Sequence, residues 1–336
     1  MVQQGIGGYR VFDEPHLKAL QKSSKDYMSL DAIYAEDIAG RNDIMRGRWD
    51  ASGITVGGVG DVTGFVPLVE ALSWLTIATS STDIHQAQES GGHTVLEYHQ
   101  PTGGLPRDIK VLEEAYLKGR RVQSITYNLS DFVGCGCTER VDHGLTYYGV
   151  EVVNKCNELG MVVDLSHAGP MTTYDTCKIS LYPVIANHTG SETVYKHQRN
   201  KSDEELRAIA DTGGIIGVYA VPFFLTDDPK ATINHMLNHI DYIVNLVGWE
   251  HVGIGTDWIN TGTKDFIESI FEVEAQASIG FRPEHNINTR HNLIGFDDAR
   301  DFPNITRGLI ARGYSDEQIK GVLGENFLRV FKSVCD

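Results

Sequence analysis

The sequence has no long apolar run, no cluster of lysine or arginine, and only five cysteines in 336 residues. Its most apolar stretches are strand-length or interrupted by charge, and the N-terminal MVQQGIGGYRVFDEPHLKAL lacks a basic start followed by an apolar core. Neither pattern suits a membrane span or a secretory leader, so the expectation is a soluble, cytoplasmic protein with no membrane segment. The formal net charge of -16, unrelieved by any basic stretch, would repel a phosphate backbone or an anionic membrane. Nucleic acid is therefore not an expected partner. Cys135, Cys137, Cys156, Cys177 and Cys335 are scattered and odd in number, which argues against a disulfide framework. The one close pair, Cys135-Gly136-Cys137, is spaced too tightly for a structural zinc site.

Linkers rich in proline, glycine or serine are also missing, as are internal repeats. With 41% hydrophobic and 22% charged residues, the chain reads as one globular unit. The expected organisation is a single domain over 1–336, with an N-terminal extension over about 1–26 and closing helices over about 302–334. Short apolar runs alternate with helix-length segments. The expected strands are Tyr27 to Ile33, Gly53 to Val59, Thr94 to His99, Val122 to Tyr127, Met161 to Ser166, Pro183 to Asn187, Ile215 to Tyr219 and His251 to Asp257. Helical segments are expected at Asp13 to Lys25 and, by the spacing of its apolar residues, at Phe65 to Thr79. Eight strands alternating with helices predict an α/β fold, the (β/α)8 TIM barrel. The polar stretch from Trp258 to Asp301 predicts a loop over the barrel mouth.

Chemistry collects at the strand ends. The fifth and sixth strands each deliver a histidine, His167 and His188, at the C-terminal end, where barrels place metals and substrates. Glu97 and His99 are two apart on the third strand and share a face; if that face is the interior, both approach the histidine pair. Asp257 ends Gly253-Ile254-Gly255-Thr256-Asp257, where a carboxylate can bind a metal or take a proton from metal-activated water. Arg199, in the loop after the sixth strand, can hold a substrate carboxylate through paired hydrogen bonds.

Taken together, Val163-Asp164-Leu165-Ser166-His167, the strand ending in His188, His197-Gln198-Arg199-Asn200, the run ending in Asp257, and Leu323-Gly324-Glu325-Asn326-Phe327-Leu328-Arg329-Val330-Phe331 resemble the membrane (renal) dipeptidase family, peptidase family M19. The resemblance runs from about Tyr27 to the C-terminus. It implies a metallo-dependent hydrolase barrel, amidohydrolase-like, with two zinc ions at its mouth hydrolysing dipeptides. In that frame His167 and His188 bind the second zinc, Asp257 lies at the first as acid and base, Arg199 holds the terminal carboxylate, and a homodimer is expected.

Three departures reshape the expectation. The family's His-x-Asp ligands after the first strand align with Ile33 and Ala35, which cannot bind metal, although Glu36 and Asp37 lie close by in the sequence. The bridging glutamate of the third strand aligns with His99, or with Glu97 if the register slips by two. The fourth-strand histidine that assists the reacting carbonyl is replaced by Tyr127. The sequence therefore predicts one divalent metal ion, zinc before other transition metals, held by His99, His167 and His188, with Glu97 as the other third-strand candidate and Asp257 as fourth ligand or base. The expected activity is cleavage of an amide or related C–N bond in a small carboxylate-bearing substrate, with Tyr127 touching the carbonyl and Arg199 orienting the molecule. The rival readings are a lyase, isomerase or oxidative enzyme on the same barrel, and a catalytically silent binding homologue.

Overall fold

The computed structural model describes residues 46–47, 49–59, 66–101, 103–257, 273–288, 292–297 and 299–336. The expected first strand at Tyr27 to Ile33, the helix before it, and positions Ile33, Ala35, Glu36 and Asp37 lie outside the described residues. So does much of the loop expected over the mouth, namely 258–272, 289–291 and 298.

The described residues form eight strands: β1 (Val56–Val59), β2 (Leu75–Ile77), β3 (His93–His99), β4 (Val122–Ser124), β5 (Val162–Asp164), β6 (Ile185–Thr189), β7 (Ile215–Val218) and β8 (Val252–Ile254). All pair in parallel, in the order β1-β3-β4-β5-β6-β7-β8, with β2 also on β3. From β3 to β8 strand order follows chain order with helices between, which is the (β/α) barrel arrangement, while β2 stands off that path beside β3. One expectation fails locally. The segment 65–79 is not one helix: Val66–Ala71 is helical, but Leu75–Ile77 then pairs with His93–Val95 as β2. The β-branched Thr76 and Ile77 suit an extended backbone, and β3 is long enough to serve three neighbours.

Alternation along the strands divides the core in two. Leu96, Tyr98, Val122, Val162, Ile185 and Ile215 pack with Phe327, Val330, Phe331 and Val334 of the last helix, Asn326–Cys335. That helix carries its apolar residues at helical spacing and so presents one continuous stripe to the sheet. Val95, Val163, Ala186, Ile216, Val218 and Ile254 instead join the cluster that includes Leu112, Val152, Leu206 and Ile240 of the surrounding helices. Asn326 explains part of the closing sequence motif, because its Nδ2 donates to the carbonyls of Trp249 and Val252 at 2.7 and 2.8 Å.

Helix starts follow their caps. Ser202 and Glu205 form a capping box at Asp203–Asp211, and Ser315 and Gln318 do the same at Asp316–Lys320. Among the described residues no helix is long and apolar enough to cross a membrane.

Candidate metal and substrate site

The C-terminal ends of β3 to β6 and β8 supply the polar residues. β5 stops at Asp164, and the chain continues through Ser166 to His167; His188 lies in β6. Both imidazoles are buried, and their Nε2 atoms are 2.9 Å apart. The residue that joins them from β3 is Gln100, whose Nε2 lies 2.7 Å from His167 Nε2 and 2.9 Å from His188 Nε2.

Glu97 and His99 are not brought to this point. Residues of odd number in β3 lie with Val95 on the helix-facing side, whereas Leu96, Tyr98 and then Gln100 alternate onto the barrel interior. Glu97 pairs there with Arg120 at 2.7 Å, Arg120 also donates to Gln123 at 3.1 Å, and His99 is in register with Gln123. The expected three-histidine cluster is thus replaced by two histidines and an amide. Among the described residues no group of three or more His, Cys, Asp or Glu side chains could hold a metal ion. Once the structure shows Leu96 and Tyr98 facing inward, period two leads to Gln100.

Each imidazole is oriented from behind. His167 Nδ1 donates to Asn128 Oδ1 at 2.7 Å, and His188 Nδ1 donates to Asn187 Oδ1. Asn187 Oδ1 also lies 2.8 Å from Ser166 Oγ. Below them, the buried Asp164 carboxylate accepts from Ser124 Oγ, from Ser166 Oγ at 2.6 Å and from the Asn187 amide at 2.8 Å. Burial holds both histidines well below their ordinary pKa, and the nearby Arg199 charge acts in the same direction. They are neutral, with the proton on Nδ1 and a lone pair on Nε2.

Two facing lone pairs at 2.9 Å repel unless a donor or cation lies between them. Gln100 cannot satisfy both well. In so nearly equilateral a triangle the acceptors are about 60° apart as seen from the amide nitrogen, whereas its N–H bonds diverge by about 120°.

Arg199 is 1% exposed. Its Nη1 donates to the Ser166 carbonyl, its Nη2 lies 3.3 Å from His167 Nε2, and its guanidinium sits 5.6 Å above the Phe224 ring. Its Nε is buried with no hydrogen-bond partner among the described residues. Tyr127 stacks on His167 with ring centroids 4.1 Å apart, and burial pushes its phenol upward, so it keeps its proton. Asp257 follows β8 with a left-handed φ of 47°, unusual for a residue with a side chain. Desolvation raises its carboxyl to about 7, against the opposing pull of Arg199.

The loop after β4 is held close by a glycine. A Cβ on Gly136 would lie 2.0 Å from the Tyr127 carbonyl, which accounts for the glycine between Cys135 and Cys137. Both thiols are free. Beside Arg199 lies a cavity of about 420 Å³ whose lining includes Cys137, Ser166, Tyr195, His197 and Asn200.

With this geometry in view, the relatives are informative. The membrane dipeptidase (peptidase family M19) model matches residues 65–278 and 265–336. An uncharacterized dipeptidase of Schizosaccharomyces pombe is 30% identical over 233 residues, 67% of this chain and 49% of that protein. The dipeptidase tcpJ of Claviceps purpurea is 29% identical over 197 residues, 58% of this chain and 40% of that protein. The chain therefore spans about half the length of these curated relatives. The crystal structure of an amidohydrolase from Pseudomonas aeruginosa superposes with a TM-score of 0.76 at 31% identity, covering 86% of this chain and 91% of that one. Sequence and architecture agree, and the chain belongs to the membrane dipeptidase family, peptidase family M19.

Proposed function

We propose that the chain is a metal-dependent hydrolase that cleaves an amide or related C–N bond in a small, carboxylate-bearing, dipeptide-like substrate. Family membership implies a divalent metal ion. The observation that carries the reading is the convergence of the His167 and His188 lone pairs with both Nδ1 atoms tied from behind, the arrangement by which proteins prepare imidazoles for a cation.

Among the described residues the donor set suits one ion rather than two. A neutral amide, Gln100, stands where a bridge between two ions would need a carboxylate, and Ile33 and Ala35 offer only carbon. His167, His188 and the Gln100 carbonyl oxygen, with its amide turned over, would hold a single ion; the nitrogen-rich set favours zinc. When bound, the ion would supply Lewis acidity toward the carbonyl and lower the pKa of water.

The chain's own groups account for the rest. Arg199 would receive the carboxylate; its Nε has no partner among the described residues, and a cavity of about 420 Å³ lies beside it. Asp257, with its carboxyl raised to about 7, can take a proton from water and return it to the leaving amine. Tyr127 keeps its O–H and can donate to the carbonyl oxygen.

A second reading, a barrel retained for binding alone, is favoured by one observation. Arg199 Nη2 and Gln100 Nε2 both face the His167 lone pair, so protein donors already occupy it. Measuring the metal content of dialysed protein and its turnover of a dipeptide panel separates the two. One bound ion with peptide cleavage supports the first reading; no ion under any loading condition supports the second.

A further inference from the structure

We infer that Asn128 is a positioning residue that fixes the tautomer of His167 and ties it to the Ile279–His285 strap. This rests on the proposed function above for its consequence, but its geometry stands alone. Asn128 is fully buried. Its Nδ2 donates to the Ile279 carbonyl at 2.9 Å. A carbonyl only accepts, so this bond determines which way the amide faces. Its Oδ1 is thereby turned to His167 Nδ1 at 2.7 Å, which must carry the ring proton and leave Nε2 bare.

The strap is fastened at three further places. Arg282 Nη1 donates to the Thr138 carbonyl at 2.9 Å, while Thr138 donates through its amide and hydroxyl to the Asn128 carbonyl at 3.1 and 2.8 Å. Gly280, with φ 95°, leaves no room for a side chain against Thr138 and Leu129. At its far end the His285 carbonyl accepts from His197 Nε2 at 2.8 Å, and His197 Nδ1 accepts the Arg199 amide at 3.1 Å. The strap thus reaches both arms of the site through one polar side chain each. If it lifts, the Asn128 amide loses the bond that orients it. It can then turn its NH2 toward His167, driving the ring proton to Nε2 and closing the lone pair to a cation.

The test begins on metal-free protein labelled with 15N in its histidine rings, where long-range 15N–1H spectra report each tautomer. Comparison with His167→Ala assigns the His167 signals. Wild type is expected to show Nδ1–H at His167. Asn128→Asp keeps the acceptor and should keep that tautomer, but it loses the donor to Ile279, so amide hydrogen exchange across 279–285 should accelerate. Asn128→Leu loses both bonds and should populate Nε2–H, with the Gln100 amide turned to offer that proton its oxygen in place of its present Nε2. Zinc affinity, read by competition with a chromophoric chelator, should fall about 10- to 100-fold in Asn128→Leu and much less in Asn128→Asp. If Asn128→Leu does not fold, Asn128→Ser replaces it in the same comparison. An unchanged tautomer in the folded Leu or Ser variant, or unchanged strap exchange in Asn128→Asp, overturns the inference. Tautomers and strap exchange as expected in a protein that binds no zinc would uphold the positioning role and defeat the proposed function instead.

Discussion

His167 and His188 face each other through unprotonated nitrogens 2.9 Å apart, each with its opposite nitrogen committed to an asparagine oxygen. Gln100 Nε2 lies against both lone pairs but cannot point an N–H at each of them, so the pairing is costly. Removing one ring should release the strain and destroy the proposed site together. His167→Ala is expected to lose metal retention and turnover while remaining folded, as read by metal analysis, activity and circular dichroism. Full activity in that variant would refute the assignment.

Arg199→Met should act on substrate binding more than on chemistry. A charge-assisted pair to a carboxylate contributes about 1.5–3 kcal/mol, which corresponds to a loss of roughly 10- to 150-fold in kcat/KM. Most of the loss is expected in KM, and an amidated substrate lacking the carboxylate should be nearly indifferent to the substitution. Equal losses on both substrates would argue against the assigned role.

The pH dependence centres on Asp257. In the metal-free protein its carboxyl sits at about 7 against about 3.9 for an unfolded aspartate. The folded state therefore binds the extra proton between these values, and this group costs stability as pH rises toward 7. Asp257→Asn removes the cost. Its Tm advantage over wild type is expected to widen from pH 5 to pH 7 and level off above, measured on protein stripped of metal. A constant difference would show that Asp257 is not desolvated.

The inner face of the sheet packs against the last helix. Phe331 is fully buried among Leu96, Val162, Ile185 and Ile215 in one cluster. Phe331→Ala should cost about 3–5 kcal/mol in chemical denaturation. A loss under about 1 kcal/mol would mean that the helix does not plug the sheet.

Much of this was legible in the sequence because strand-end histidines and alternating apolar runs obey simple periodicities. His167, His188 and Asp257 were each visible as polar residues closing an apolar strand. Gln100 was not, since Glu97 and His99 in HTVLEYHQ carry more obvious chemistry, while Val95 and Leu96 are both apolar and leave the inward face undecided. Only the packing of Leu96 and Tyr98 against the closing helix resolves it. Asn128 and His197 were missed for another reason: their roles come from bonds to backbone carbonyls 151 and 88 residues away in sequence, which no local pattern encodes. β2 was hidden because a three-residue strand next to a short helix carries too few residues to show its period.

The most direct measurement is the number of divalent ions retained per chain after dialysis, taken on wild type and His167→Ala in parallel. One ion in wild type and none in the variant is the predicted result. Two ions per chain, or one that survives the loss of His167, would contradict a single-ion site built on the facing imidazoles.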